Sequence, residues 1–322
     1  MPRPNSFQAF HGQTDAVEQL AVAVRAAKRR SKRFAHFLIV GPPGVGKTTL
    51  AAHVVPHELG LRPESVTVLN CTAVEKPKDI LPTLTTVPQG GLLFLDEIHA
   101  LPGEVSEYLY HVMEDQKVTV SMGENQPLIT LDVADYTVAG ATTREGLIPE
   151  PMRDRFKHHI RLELYDDASM LEVLKWTVNA YHAEAEDLKG IEWDAAAVEL
   201  LIKPCHGTGR FAGRLIEAVL DTYFGSSISE TGGITTGTVQ RTLDRLGYTQ
   251  GLGKMEVRIL EILATNGVTG LKTLSAALDE EERTIEDTYE PWLLQQGFIE
   301  RGRQGRKLTA GGAEILGKIG NT

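Results

Sequence analysis

Gly41-Pro-Pro-Gly-Val-Gly-Lys-Thr48 matches the phosphate-binding pattern G-x-x-x-x-G-K-[ST] at every fixed position. The apolar run Phe37–Val40 before it predicts a buried strand, and Thr49–Val55 after it predicts the start of a helix. Strand, glycine loop and helix therefore follow one another in the order that a phosphate-binding loop requires. The alternative is an ordinary Gly/Pro-rich turn between a strand and a helix, which this context disfavours.

Glycines let such a loop fold back, so that backbone N–H groups face phosphate oxygens at the positive end of the following helix. Lys47 is expected on the β- and γ-phosphates, and the Thr48 hydroxyl is expected to bind Mg²⁺. The stretch therefore predicts a protein that binds a nucleoside triphosphate and Mg²⁺.

Composition limits the class of protein. The 322 residues, 42% of them apolar, suffice for two or three domains with a large core. No apolar run approaches the roughly 20 residues that span a bilayer, and the N-terminal residues lack the apolar core of a signal peptide. Cys71 and Cys205 lie far apart without metal-site spacing, which suits a reducing compartment. We therefore expect a cytoplasmic protein that does not enter membranes.

The net charge of −10 argues against a protein that coats nucleic acid by bulk electrostatics. Positive charge is nevertheless concentrated in two clusters, at residues 25–33 and 301–307. The first cluster is explained by a solvated helix end as readily as by a binding function. The second alternates with Gly302 and Gly305, as in an exposed turn.

Between residues 37 and 164, apolar strand-like runs alternate with helical stretches, the pattern of a doubly wound α/β sheet. The predicted strands after the first are Val66–Leu69, Gly91–Leu95, Tyr136–Gly140 and His159–Leu164. From there to the glycine-rich stretch 247–253 only helices are predicted, namely Ala168–Ala183, Asp194–Lys203, Gly209–Phe224 and Thr235–Leu246.

The glycine-rich stretch predicts a linker to a third unit with the layout of a winged helix. Its predicted elements are, in chain order, the helices Met255–Thr265, Leu271–Leu278 and Glu281–Gln296, followed by two short strands around residues 301–307. The domains are therefore predicted at residues 1–164, 165–249 and 250–322.

Asp96 and Glu97 end an apolar strand about 50 residues after the phosphate loop. Asp96 is expected in the outer shell of the magnesium ion, and Glu97 is expected to act as the general base on an attacking water. An Asp-Glu pair at a strand end is common by chance, but it gains weight behind a complete phosphate loop.

Thr142 and Thr143 follow a strand predicted to lie between these two motifs, so either could reach the same water or the γ-phosphate. An ordinary helix cap or turn is the alternative. Arg155 lies beyond the strand tips and could serve a neighbouring subunit, where its charge would stabilise the transferred phosphoryl group. A surface salt bridge is the alternative. Arg210 opens a helix, where its charge could touch the γ-phosphate.

Together these motifs resemble those of AAA+ ATPases, and the flanking sequence is similar to the RuvB family of Holliday-junction branch-migration motors. Apart from the phosphate loop, the resemblance is carried by Arg3-Pro4, Phe10–Gln13, Leu95–His99, Met113–Asp115, Gly140–Arg144, Arg153–Phe156, Thr284–Asp287, Glu290-Pro291 and Leu294–Phe298. It implies an α/β AAA+ P-loop NTPase core, an all-helical small domain and a C-terminal winged-helix domain. It also implies ATP as the nucleotide and a homo-oligomeric ring, a hexamer, acting on double-stranded or four-way junction DNA.

The resemblance implies further nucleotide contacts, which are Arg3, Gly44, Thr49, Glu114, Asp115, Gln116 and Tyr165. It makes Thr142 or Thr143 the first sensor, Arg155 the finger that reaches the next subunit, and Arg210 the second sensor. The family usually has Gly-Thr-Pro-Arg where this chain has Gly-Thr-Gly-Arg210, which lacks the proline that suits a first helical position.

Residues 118–133 alternate as in a hairpin around Met122–Asn125, and they resemble the hairpin with which the family docks RuvA. Ile129 and Leu131 are the implied apolar contacts with a RuvA-like partner. The turn is shorter here than in the typical family member. An exposed hairpin with apolar side chains otherwise risks aggregation, so a partner explains it.

The third predicted helix of the winged helix is acidic, although this helix enters the major groove in sequence-reading proteins. It carries five acids against Arg283, which disfavours base reading. Arg301 and Arg306, which match the family's wing, are expected to contact backbone phosphates without base specificity. The alternative for the wing is a solvated hairpin in a protein-docking domain.

The sequence favours an ATP-driven DNA translocase over a sequence-specific repressor, because a motor that recognised bases would stall at preferred sites. An ATP-gated loader or switch of the clamp-loader type is the second hypothesis, since it shares the same core.

Overall fold

The computed structural model describes residues 2–121, 128–225 and 233–320. The chain divides into two compact units. The sheet unit consists of Arg3–Gly41 and Gly46–Glu163, and the helical unit consists of Met1–Pro2, Pro42–Val45 and Leu164–Thr322. The domain limits 1–164, 165–249 and 250–322 stay a prediction.

The strands of the sheet unit are β1 (Phe37–Val40), β2 (Val66–Asn70), β3 (Leu92–Asp96), β4 (Lys117–Ser121), β5 (Leu128–Asp132), β6 (Thr137–Thr142) and β7 (His158–Arg161). Among the described residues, five of them form a parallel sheet in the order β2-β3-β6-β1-β7. Every residue of β1 and β6 is buried, which explains their continuous apolar and small-residue sequences. The strands β4 and β5 form a separate antiparallel hairpin.

The helices of this unit are α1 (Thr14–Arg29), α2 (Lys47–Thr49), α3 (Val55–Leu59), α4 (Pro77–Thr86), α5 (Gly103–Asp115) and α6 (Glu150–Arg153). A π-helical turn at Leu50–Val54 joins α2 to α3, so the helix that follows the phosphate loop is continuous. One core cluster contains residues of β1, β3, α4 and α5.

The helical unit begins with α7 (Asp167–Glu184), α8 (Ala195–Glu199), α9 (Gly209–Gly225) and α10 (Thr236–Leu246). The helix predicted to run to Lys203 ends earlier, at Glu199. Pro204 lies in the 3-10 turn Lys203–Cys205, and it has no N–H to donate to the carbonyl oxygen of Leu200, so the α-helical hydrogen-bond pattern does not continue through it.

The last part of the chain is a winged helix, which confirms the sequence prediction. Its elements are α11 (Lys254–Asn266), α12 (Leu271–Leu278), α13 (Glu282–Thr284), α14 (Glu290–Gln295), β8 (Ile299–Gly302), β9 (Gly305–Leu308) and α15 (Ala310–Gly320). The apolar faces predicted for its first two helices form its core, with Ile259, Leu260, Leu263 and Leu274 almost completely buried.

A π-helical turn at Ile285–Tyr289 joins α13 to α14, and we call residues 282–295 the acidic helix. Pro291 lies inside it. A proline within a helix lacks the N–H donor and crowds the carbonyl group four residues earlier, and a preceding π turn relieves this conflict. Within the three described ranges, none of the helices combines the length and apolar character needed to cross a bilayer.

His36 is a buried histidine that the sheet unit holds in its neutral form. Its Nδ1 accepts a hydrogen bond from the Val138 N–H at 2.8 Å, and its Nε2 lies 3.3 Å from the carbonyl oxygen of Met113. Burial, together with the nearby charge of Arg33, lowers the pKa of His36 to about 4.

We expect stability to fall in mild acid because the unfolded chain, with a histidine pKa near 6.5, binds the proton first. The contribution of His36 is complete above pH 6.5 and is lost as the pH falls through 4. Calorimetry of the wild type between pH 7 and 5 should show a falling melting temperature. His36→Asn keeps an acceptor near the position of Nδ1 and should weaken this dependence; an equally steep dependence in the variant would contradict the assignment.

Candidate nucleotide site and nucleic-acid interface

The loop between β1 and α2 is folded around Lys47. This side chain is 7% exposed, and its Nζ donates to the carbonyl oxygen of Gly41 at 2.8 Å. Gly44 and Gly46 have φ angles of 80° and 103°, which side chains other than glycine rarely adopt. The spacing of the motif is therefore a backbone requirement of the loop. Thr49 is half-buried in the first helical turn that follows.

The carboxyl ends of the central strands bring the predicted hydrolytic residues of the sheet unit together. Strand β6 lies between β1 and β3, as expected for the strand that carries Thr142. The Gly41 N–H donates to the carbonyl oxygen of Thr142 at 3.2 Å. The Thr48 hydroxyl donates to Asp96 Oδ2 at 3.2 Å, so the two predicted magnesium ligands are in direct contact.

Glu97 is fixed at this edge by three groups. Its carboxylate oxygen Oε2 lies 3.4 Å from both the N–H and the hydroxyl of Thr143. Nδ1 of His99 lies 3.2 Å from the same oxygen and 2.9 Å from the Thr142 hydroxyl. The Glu97 side chain remains 30% exposed, so a water molecule can reach it. Thr143 therefore contacts the candidate base directly, and Thr142 is joined to it through His99.

His99 is a site residue that motif reasoning did not single out. Its side chain is only 6% exposed, and it connects the ends of β3 and β6. The 3-10 turn Ile98–Ala100 folds it back towards Glu97, whose own φ is 50°. In the sequence, His99 was marked only by its place in the stretch Leu95–His99. The periodicity of a strand does not predict that the chain turns back after the strand ends.

Two of the predicted nucleotide contacts, Arg3 and Tyr165, lie in different units. In the sheet unit, Arg3 is exposed and its Nη1 lies 2.6 Å from Nε2 of His53. In the helical unit, Tyr165 is 8% exposed, and its hydroxyl donates to the carbonyl oxygen of Val45 at 3.1 Å. Tyr165 is thus attached directly to the phosphate loop.

Arg210 also contacts the loop within the helical unit. Its backbone N–H donates to the carbonyl oxygen of Gly44 at 3.3 Å. A Cβ atom on Gly44 would lie 3.1 Å from Cβ of Arg210 and 3.2 Å from Cβ of Thr208. Gly44 is therefore required by close packing as well as by its φ angle.

Arg155 forms the ion pair that the sequence left as an alternative. Its Nη2 lies 2.5 Å from Oε2 of Glu114, and its guanidinium lies 5.1 Å from the ring centroid of Tyr110. The Glu114 side chain is 62% exposed, so the pair contributes little to stability and can open at small cost. Asp115 lies 3.6 Å from His111, and Gln116 donates to Asp135 at 3.3 Å.

The hairpin β4–β5 exposes the apolar pair predicted from the sequence. Ile129 and Leu131 are each 41% exposed and lie two residues apart on β5, so they share a face. The predicted turn Met122–Asn125 lies outside the described residues.

The wing places its two predicted DNA contacts differently. The Arg301 side chain is 54% exposed, and its Nη2 lies 3.0 Å from Oε1 of Glu286. Arg306 is 5% exposed; its Nη2 lies 3.0 Å from Oε1 of Glu286 and 3.1 Å from Oε2 of the buried Glu290. The expected surface position of Arg306 is therefore corrected, because a buried carboxylate needs a cationic partner.

Arg303 instead occupies the tip of the wing. Gly302 pairs with Gly305 in the β8–β9 register, so Arg303 lies in the exposed two-residue turn between them. Gly305 has a φ of 143°, and a Cβ atom there would lie 2.4 Å from the carbonyl oxygen of Thr269. The charge cluster was visible in the sequence, but the strand register that selects Arg303 was not.

Comparisons with known proteins agree over most of the chain. The family model described as "Holliday junction DNA helicase RuvB P-loop domain" matches residues 2–162. The family model described as "RuvB C-terminal winged helix domain" matches residues 249–317. The Holliday junction branch migration complex subunit RuvB of Campylobacter hominis is 37% identical over 320 residues, 98% of this chain and 90% of the relative. That of Myxococcus xanthus is 38% identical over 313 residues, 95% of this chain and 87% of the relative. The Thermotoga maritima RuvB Holliday junction branch migration motor has a TM-score of 0.82 at 33% identity, covering 98% of each chain.

We expect His99→Ala to slow ATP turnover about tenfold or more, because Glu97 loses a group that orients its carboxylate. Binding of a fluorescent ATP analogue should be unchanged, since the contacts of His99 with Glu97 and Thr142 serve hydrolysis. His57→Ala, at an exposed histidine of α3, is the matched control. An unchanged kcat in His99→Ala would contradict this role.

Proposed function

The chain belongs to the RuvB family, and we propose that it is an ATP-driven DNA translocase that drives branch migration of Holliday junctions in recombination and repair. One observation carries the proposal: Glu97 is held beside the Thr48–Asp96 pair at the sheet edge that follows the phosphate loop. A chain that only bound nucleotide would need no carboxylate positioned for water activation.

In the proposed hydrolysis, Lys47 neutralises charge on the β- and γ-phosphates. Glu97 accepts the proton of the attacking water, and His99 and Thr143 keep its carboxylate in place. Thr142 is joined to the same group through His99, so a displacement at the γ-phosphate can reach β6. These roles agree with the side-chain contacts in the sheet unit.

The oxygens of Thr48 and Asp96 fit Mg²⁺, which prefers hard oxygen ligands and keeps water and phosphate oxygens in its shell. Within the described residues no group of three His, Cys, Asp or Glu side chains could hold a metal ion. Bound Mg²⁺ would neutralise phosphate charge.

We further propose a hexameric ring in which Arg155 leaves Glu114 and reaches the nucleotide of the neighbouring subunit. Because the Glu114 side chain is 62% exposed, breaking the ion pair costs little; the exchange must also break the hydrogen bond from Nη1 of Arg155 to the Pro151 carbonyl oxygen. Glu114, Asp115 and Gln116 would lie at the same nucleotide. Arg3, Gly44, Thr49 and Tyr165 would contact the chain's own nucleotide, with Arg210 as the second sensor.

DNA would be held through its backbone phosphates by the exposed cations of the wing, Arg301 and Arg303. Arg306 would act from inside by holding β9 against the acidic helix. We propose that Ile129 and Leu131 dock a RuvA-like partner that targets the ring to junctions in the cytoplasm.

The motor is distinguished from an ATP-gated loader by branch migration of a synthetic four-way junction. We expect the wild type with a RuvA-like partner to migrate the junction while hydrolysing ATP continuously. Glu97→Gln should bind ATP and abolish both activities, because the amide cannot accept the proton. Glu64→Gln, at a glutamate whose side chain is 68% exposed, is the matched control. DNA-triggered hydrolysis limited to a few ATP per event, without migration, would favour the loader.

We expect Arg303→Gln to weaken binding to duplexes of any sequence. The plot of log K against log[salt] should become less steep, its negative slope shrinking in magnitude by about 0.9. Arg306→Gln should lower the melting temperature instead, because the buried Glu290 would lose its nearest cationic partner and keep only Arg301, whose Nη1 lies 3.8 Å away. Arg62→Gln, at an arginine whose side chain is 83% exposed, controls for lost surface charge. An unchanged salt slope in Arg303→Gln would remove this residue from the DNA interface.

A further inference from the structure

One end of the acidic helix contacts the backbone of residues that lie close to Arg210, the proposed second sensor. Nε2 of Gln295 donates to the carbonyl oxygen of Leu164 at 3.2 Å and lies 3.5 Å from that of Tyr165. The Tyr165 N–H donates to the carbonyl oxygen of Gly207 at 2.9 Å. Gly207 has a φ of 63°, and a Cβ atom there would lie 2.8 Å from the Tyr165 carbonyl oxygen and 3.3 Å from Gln295 Oε1.

A second contact at this end is the aromatic pair Trp292–His206. The ring centroids are 4.2 Å apart, and both residues are 4% exposed. Burial lowers the pKa of His206 to about 4, so the stacked ring is neutral. His206 directly precedes the segment Gly207–Arg210, whose last residue bonds to Gly44 of the phosphate loop. Packing therefore continues from the acidic helix to the loop.

The other half of the acidic helix holds the wing. Glu290, 1% exposed, is paired with Arg306, and Oε1 of Glu286 lies 3.0 Å from Nη2 of both Arg301 and Arg306. Glu286 and Glu290 are four residues apart, so they lie on one face of a helix. The distance along the helix from Glu286 to Gln295 is about 14 Å.

We propose that the acidic helix couples the nucleotide site to the wing, with Trp292 and Gln295 as positioning residues at the nucleotide end. Glu286 and Glu290 are the positioning residues at the wing end. A displacement of the Gly207–Arg210 segment moves the helix through His206 and Tyr165. The ion pairs of Glu286 and Glu290 carry the movement to β8 and β9. The inference rests on the proposed function, because it requires both nucleotide and DNA to bind.

This role also accounts for the acids. In a base-reading winged helix the corresponding helix must face the DNA, and carboxylates there oppose the phosphates. A helix that works as a connecting element instead needs carboxylates to bind the cationic wing, and an opposite end that packs against the residues preceding the second sensor.

The test measures the affinity of the full chain for a non-hydrolysable ATP analogue with Mg²⁺, in the presence and absence of saturating duplex DNA. The ratio of the two dissociation constants is the coupling factor, and by linkage DNA affinity changes with nucleotide by the same factor. In Gln295→Ala we expect this factor to move towards one by about threefold or more. Each ligand should bind alone as it does to the wild type.

Gln240→Ala is the matched control, because Gln240 is an exposed glutamine that bonds Asp244 within its own helix. Trp292→Leu should reduce the coupling factor as Gln295→Ala does, and Trp292→Phe, which keeps an aromatic ring on His206, should restore most of it. Melting temperatures identify a variant that fails to fold. Gln295 is exposed, so its replacement leaves the core intact.

Unchanged coupling in Gln295→Ala and in folded Trp292→Leu would overturn the inference while leaving the proposed function standing. Loss of DNA affinity in Gln295→Ala without nucleotide would also overturn it, since the residue would then be a DNA contact. A wild type that neither migrates junctions nor responds to DNA would instead refute the proposed function itself.

Discussion

The parallel pairing of β1, β6 and β3 is the constraint on which the candidate site depends. The register places Val40 beside Thr142 and Leu95 beside Gly140, so three separate stretches of chain end at one edge. The strands must lie close for this to happen. A Cβ atom on Gly140 would lie 3.0 Å from Leu38 and 3.1 Å from Ile98, so glycine is the residue that this packing accommodates. Once the sheet forms, the loop lysine, the Thr48–Asp96 pair and Glu97 need only local turns to reach their positions.

Several charged side chains of the winged helix form ion pairs with one another. The acids of residues 282–295 suggest repulsion of DNA when they are considered alone. In the folded chain Glu286 and Glu290 neutralise Arg301 and Arg306 in part, and the cation at the wing tip is Arg303. A protein with a net charge of −10 therefore carries exposed positive charge on a small, defined surface at the wing tip.

Much of the fold could be predicted from sequence because its signals are local. The strand Phe37–Val40 and the helix Leu271–Leu278 have the predicted bounds, since each has a clear apolar pattern and a glycine at one end, Gly41 after the strand and Gly270 before the helix. The burial of Arg306 could not be predicted, because it depends on the β8–β9 register and on Glu290. His99 was missed for the same reason, as its contact with Thr142 joins two strands that are distant in sequence.

The ion-pair cluster of the wing links four positions of this chain energetically. Arg306 and Glu290 are both buried, so exchanging either alone weakens the charge balance of the interior. Glu286 is shared between Arg306 and Arg301, and Arg301 also lies 3.8 Å from Glu290, which ties a surface position to the buried pair. Substitutions at these four positions therefore have non-additive effects on stability, because each one changes the surroundings of the others.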